Sequence, residues 1–194
     1  LSKNERDFHL DRESARDLLA KALQSYFAKK HEYPIEMFIH GRARFTDDEW
    51  LGFTDAVNAL NPSTRLVGIV IQSSGKFRLF RHVVGELSKY GNLRGLAFMV
   101  DYREAYLFTR GFVPRLKTSI NTEISNPLRI QIDRGNADIT QVLKDILALS
   151  KLNYNACIYG DGLPVTLRFS DNIGDILTAI DQLDTEVLPF KYYI

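Results

Sequence analysis

The chain has one cysteine, Cys157, among 194 residues. A lone thiol cannot close an intrachain disulfide, so a reducing compartment is expected. No apolar run approaches the ~20 residues that span a bilayer, and no secretory leader is visible. A cytoplasmic protein with no membrane partner is the expectation. An excess of one charge is missing too: 25 Lys and Arg face 24 Asp and Glu, for a net charge of +1. A balanced total neither shows nor excludes nucleic-acid binding, because a local basic groove is invisible in a sum. His9, His31, His40 and His82 are scattered without the spacing of a His or Cys metal site. There is no nucleophile elbow, Walker loop or dinucleotide fingerprint. Ser73-Ser74-Gly75-Lys76 lacks the glycine spacing of a phosphate loop and reads as a hairpin turn. What is present is ordinary globular composition, 45% hydrophobic and 25% charged, in a chain long enough for one cored domain. No internal repeat, low-complexity tract or linker divides it, so a single domain over 1–194 is expected. The chain does not begin with Met and is expected to be part of something longer.

Periodicity places a helix from Asp11 to Lys30, with Asp11 as N-cap, Ser14 as second choice and basic residues at the C-terminal end. Ile35 to His40 is a short apolar run between Pro34 and Gly41 and reads as a buried strand. Thr46 and Glu49 have capping-box spacing for a helix running to about Leu60. Asp47-Asp48-Glu49 could be taken for a catalytic carboxylate cluster, but consecutive helical positions diverge, so a solvated, dipole-compensating first turn is expected. Arg65 to Gln72 reads as a strand forming a hairpin with Phe77 to Val84. Further strands are expected at Leu96–Tyr102, Ala105–Thr109 and Pro127–Asp133, with an irregular stretch from Gly111 to Asn126. Asp138 to Ser150 has an apolar helical face. Helices alternating with buried-type strands argue a layered α/β or α+β domain.

The most specific stretches are Asp145-Ile-Leu-Ala-Leu-Ser-Lys-Leu-Asn-Tyr-Asn155 and Leu163-Pro-Val-Thr-Leu-Arg-Phe-Ser-Asp171. They read as a helix ending in a polar turn, an extended segment, and a last helix from Asn172 to Leu183 opening beside Asp171. With Ala15–His40, Leu66–Arg81 and Pro127–Asp133, they resemble the PIWI domain of Argonaute proteins over nearly the whole chain. The resemblance implies an α/β, RNase H-like fold, a mixed sheet flanked by helices. It also implies that the first strands are not in this chain, which would leave an edge or apolar face exposed.

Active members of that family cleave with acidic residues around two divalent cations. The resemblance puts the first acidic positions upstream of Asp11. It puts another at the turn after Ile35–His40, which here reads Gly41-Arg42-Ala43. With the next helix anchored on Trp50, Arg42 occupies the aspartate position. A guanidinium has no lone pair to give and would repel Mg²⁺. The last ligand position falls on Asp171, for which a helix N-cap role is favoured. The catalytic set is therefore degenerate, at Arg42 and Asp171, and a cleavage-dead domain is expected.

What remains is binding. In this family the Asn-Tyr-Asn turn and the segment after it face a guide strand, which here selects Lys151, Asn153, Asn155, Thr166 and Arg168. Their types suit phosphate and sugar contacts, although turn formation or plain surface polarity would explain each equally well. The family's terminal carboxylate helps hold a divalent metal over the guide 5′-phosphate. Ile194 is thus the candidate ligand and Mg²⁺ the implied cofactor. The segment Phe38–Phe53 resembles short, inactive MID–PIWI Argonautes of prokaryotes. This implies an RNA guide, a DNA target, a MID domain upstream or in another chain, and an effector of TIR or Sir2 type with an adaptor domain, in defence against invading nucleic acid. Two other readings stay open. An active guide-directed nuclease would need a different register at the Gly41-Arg42-Ala43 turn, and no Asp or Glu lies between Met37 and Thr46. A non-nucleic-acid interaction domain would share only the architecture.

Overall fold

The computed structural model describes residues 9–75, 78–80, 82–83, 86–87, 91–116, 118–119, 125–152 and 162–179. Asn153, Asn155, Cys157 and Ile194 lie outside them. These residues divide into two compact units: those up to Ile71 with Gln131–Ala137, and those of Gln72–Ile130 with the chain from Asp138 on.

The first unit opens with α1, Arg12–Lys30, where Asp11 accepts the Ser14 N–H at 2.8 Å as its N-cap. The helix stops at His31, in the left-handed region at φ 61°, whose N–H returns to the Phe27 carbonyl at 2.7 Å. Strand β1, Glu36–Gly41, follows. Helix α2, Asp47–Leu60, carries the complete Thr46–Glu49 capping box. Strand β2, Arg65–Ser73, pairs parallel with β1 from Glu36↔Arg65 to Gly41↔Val70. Parallel neighbours need a crossover, which α2 supplies. Ala15, Leu19 and Leu23 of α1 meet Phe53, Ala56 and Val57 of α2 in a buried core. Gly52 lets the helices close, since a Cβ there would lie 2.9 Å from that of Ala15 and collide with the Arg12 carbonyl.

In the second unit the short strands β3, His82–Val83, and β4, Glu86–Leu87, pair with each other. Strand β5, Ala97–Met99, forms an antiparallel hairpin with β6, Glu104–Leu107. Next come β7, Phe112–Val113, a 3₁₀ turn at Pro114–Leu116, and β8, Thr118–Ser119, paired with β7. The Gly111–Asn126 stretch thus carries a small ladder as well as irregular chain. Strand β9, Leu128–Arg134, alternates buried and partly buried residues, the first three counted with this unit and Gln131–Arg134 with the first. Helix α3, Ile139–Leu149, is capped by Asp138 and packs on β6. Helix α4 is Val165–Ala179. The sheet order is β1-β2-β9-β6-β5. With β1 and β2 parallel and β5 and β6 antiparallel, this is the mixed, helix-flanked sheet the sequence reading expects.

Three expectations are corrected. Ile35–His40 is not a buried strand: β1 is a sheet edge with half-buried residues, Ile35 is 86% exposed and Phe38 36%. The strand β2 does not form a hairpin with the segment after it, because its neighbours are β1 and β9 and the chain at Arg78–Phe80 is irregular. The segment Leu163–Asp171 is not extended. Pro164 has its φ preset for a first helical turn and no N–H to lose, and its carbonyl accepts from Leu167 and Arg168 at 3.0 and 3.1 Å. Val165 onward is therefore helix, and Asp171 sits in the body of α4 rather than at its cap.

Candidate nucleic-acid interface

The turn from β1 to α2 is held from the end of β9, within the first unit. Phe45 packs edge-on to Phe53, with centroids 6.2 Å apart, and tilted to Trp50 at 6.0 Å. Its ring lies on Gly68 of β2, where a Cβ would be 2.9 Å from Phe45 Cε2. Burying this ring strips water from its backbone groups, which then need partners. Asp133 Oδ2 accepts the Phe45 N–H at 3.0 Å, and Arg134 Nη2 donates to the Phe45 carbonyl at 2.8 Å and to Asp47 Oδ1 at 2.6 Å. Asp133, with a side chain only 10% exposed, also faces Arg44 Nε at 3.7 Å and Arg134 Nε at 3.8 Å. Arg42 is exposed in the bend directly after β1, between strand end and capped helix, as the sequence reading has it.

On the other side of α2, Glu49 is 7% exposed, so the first turn is not uniformly solvated as expected. Its Oε2 accepts the Thr46 N–H at 2.9 Å and pairs with His9 Nδ1 at 3.0 Å, while Oε1 accepts the Leu10 N–H at 2.9 Å. Burial alone would raise the Glu49 carboxyl. The N–H groups of Thr46 and Leu10, then His9, outweigh it and leave the group below its usual range. This carboxylate is a structural fastener for the chain entering α1.

The carboxylates at the turn do not fit a metal pocket. Asp133 is taken by a backbone N–H and two guanidinium groups, and Asp47 by Arg134. Among the described residues no three His, Cys, Asp or Glu side chains gather in a way that could hold an ion. The sequence reading passed over Asp133 and Arg134. Their one local signal is the Asp133-Arg134-Gly135 ending of β9, where Gly135, at φ 73°, presses on the backbone of Leu66 and Val67.

In the second unit Lys151 is exposed in the turn after α3. Thr166 and Arg168 are on α4, exposed and half-buried. In an extended segment these two would share a face. On a helix, residues two apart diverge, and Arg168 instead shares a face with Asp171, three residues on. The structure therefore does not bring Thr166 and Arg168 into one row. Among the described residues no helix is long and apolar enough to cross a membrane.

No protein-family model matches the chain, and no curated protein matches it. Solved structures do. The chain is similar to Clostridium butyricum Argonaute bound to a guide DNA and a 19-mer target DNA, with TM-score 0.66 and 19% identity, covering 90% of this chain and 22% of that one. It is also similar to Aa-Ago with externally bound siRNA (TM-score 0.59, 19% identity, 84% of this chain and 21% of that one). A further match is A. aeolicus Argonaute, with TM-score 0.56 and 20% identity over 81% of this chain and 21% of that one. The fold is Argonaute-like, and the chain spans about a fifth of the length of the structures it matches.

Proposed function

We propose that the chain is the PIWI part of a prokaryotic Argonaute that binds a guide strand and a complementary target without cleaving it, in defence against invading nucleic acid. The observation that carries this reading is the Argonaute-like fold over 90% of the chain, shared with a protein solved with guide and target DNA. The β1–α2 turn supports the absence of cleavage. A permanent cation, Arg42, follows the strand, and Asp133 and Asp47, which hold the turn, are already committed to arginines and a backbone N–H. Nucleic acid would be held by backbone contacts that fix register without reading sequence, with Lys151, Asn153, Asn155, Thr166 and Arg168 the candidates. The guide is proposed to be RNA and the target DNA. The partners are a MID domain and an effector of TIR or Sir2 type with an adaptor domain. Mg²⁺ at the guide 5′-phosphate, with the Ile194 carboxylate as ligand, belongs to the same proposal.

The test uses the full-length protein. A 5′-phosphorylated guide is compared with its 5′-hydroxyl form, with Mg²⁺ and with chelator, and a complementary target is then added. Binding that needs phosphate and metal, without cleavage, is expected. Target cleavage would overturn the inactive reading, and absence of guide binding would leave only a shared fold. If Arg42→Asp alone produced strong cleavage, the remaining ligands would be intact and inactivity would rest on that one residue.

A further inference from the structure

The five-stranded sheet ends on β5, and among the described residues no strand pairs with its outer side. The inner side is fixed to β6. Phe108 N–H donates to the Leu96 carbonyl and Val100 N–H to the Glu104 carbonyl, both at 2.9 Å, with Phe98 opposite Tyr106 between them. Backbone groups alternate in direction along an antiparallel strand. Those of Leu96, Phe98 and Val100 therefore turn to β6, and those of Ala97 and Met99 turn outward.

Both ends of this edge are held. The chain enters it from a close junction, where Phe112 N–H donates to the Asn92 carbonyl at 2.8 Å and Arg94 N–H to the Phe112 carbonyl at 3.1 Å. Gly111, at φ 139°, permits this approach, since any side chain there would strike the Asn92 carbonyl. At the hairpin tip Asp101 Oδ1 accepts the N–H groups of Arg103 and Glu104 at 2.7 and 2.8 Å. A strand so fixed loses little further freedom when it is paired.

Natural sheet edges are blunted by charge or proline. Between Leu96 and Val100 there is neither, whereas β1, at the opposite edge, carries Glu36 and His40. Phe98, Met99 and Val100 are half exposed and Tyr102 is 73% exposed. Successive apolar side chains on an open edge mark an interaction surface.

The residue order says what covers it. A strand added antiparallel must bring its own outward-facing residues opposite Ala97 and Met99. β5 of a second copy does so with the two-fold axis at Phe98. Ala97 of each copy then faces Met99 of the other, small against large, and Leu96 faces Val100 on either side of a Phe98–Phe98 pair. Every facing pair is apolar, with an aromatic pair at the centre. The neighbouring symmetric registers set Val100 against Arg94 or Ala97 against Asp101. Such an interface is self-complementary, as two-fold symmetry requires. We propose that two copies of this protein pair edge to edge along β5, antiparallel about Phe98, into one continuous sheet. Two such edges bury about 1,000 Å², the lower bound of a specific interface, so the dimer is reversible at roughly micromolar concentration.

The test is sedimentation velocity of the full-length protein over a concentration series. Wild type should pass from monomer to dimer, and two variants should raise the dissociation constant about tenfold or more. Ala97→Pro removes an outward N–H and leaves the bonds to β6 in place. Met99→Lys sets a charge on the half-exposed edge. Both should keep the wild-type circular dichroism, and should Ala97→Pro unfold the hairpin, Met99→Lys still decides. Register is read in a Cys157→Ser background with oxidised glutathione. Facing residues of a non-hydrogen-bonded pair stand about 4.5 Å apart at Cα, within disulfide reach. Phe98→Cys should link to itself, and Leu96→Cys should link to Val100→Cys in a mixture but not to itself. A dimer that survives both variants without these links lies elsewhere on the molecule and overturns the proposal. A monomer at every concentration overturns it too. A Phe98→Cys thiol that then resists maleimide labelling would show the edge covered by another part of the protein. None of these outcomes depends on guide binding.

Discussion

The β1–α2 turn and the junction around Gly111 are built from similar parts, arginines beside a short polar side chain where a glycine admits close packing. They differ in matching. At the turn, the Phe45 N–H and carbonyl are taken by Asp133 and Arg134, and Arg134 is taken in turn by Asp47. At the junction, the Asn92 amide and the Nε–H groups of Arg94 and Arg110 have no hydrogen-bond partner among the described residues. The matched network is a fastener, whereas the junction holds buried polar groups that its surroundings leave unsatisfied. The comparison teaches that the count of arginines does not identify a binding surface in this protein. The partners they already have separate the two places.

Substitution at the matched turn should be costly. Asp133→Ala leaves the Phe45 N–H and neighbouring guanidinium groups uncompensated and should destabilise by about 3 kcal/mol in denaturant unfolding. Asp133→Asn, which keeps an acceptor, should cost less. An equal cost for both would mean that the charge, not the hydrogen bond, holds the turn. Gly52→Ala forces a methyl into the α1–α2 contact and should cost about 2 kcal/mol. A neutral result would show that the helices separate freely.

Glu49 predicts a pH dependence. Its folded carboxyl lies below the ordinary range, so its contribution is complete above the unfolded value of about 4.3. That contribution is lost as pH falls through the folded value. Melting of Glu49→Gln should therefore fall less steeply than wild type on the acid side, and parallel curves would sink the assignment. Thr46→Ala removes one side of the same capping box and should cost about 1 kcal/mol. The smallest effect is expected at Arg44, whose side chain is 69% exposed. Arg44→Ala should stay within about 0.5 kcal/mol of wild type. A larger loss would move Arg44 into the fastening network.

Helix starts were legible in the sequence wherever a side chain makes the cap. Asp11, Thr46 and Asp138 all do what their type and position suggest. The start of α4 was not, because Val165-Thr-Leu-Arg-Phe169 has strand-like composition and its only start signal is Pro164, which also punctuates strands. The partners of β2 were hidden for another reason. The chain order suggests a hairpin, and only the buried α1–α2 pair and the crossover make β1 its neighbour. Arg42 could be placed from the strand and capped helix on either side of it. The clamp beneath that turn joins Phe45 to residues nearly ninety positions away, and the Asn92 junction shows only as a want of hydrogen bonds. Neither has a local pattern to read.

Gly52 bears on the order in which the molecule assembles. It seats α2 against the first turns of α1, and β1 is the chain between those helices. Ala15 and Gly52 stand 37 residues apart and the paired residues Glu36 and Arg65 29, separations whose loop-closure costs differ little. The helix pair and the β1–β2 pair are thus suited to form together as the folding nucleus of the first unit, with the Gly41-Arg42-Ala43 turn set in place between them. On that view Gly52→Ala slows refolding more than it speeds unfolding. The strand that leads into Arg42 then owes its position as much to this helix contact as to its own pairing with β2.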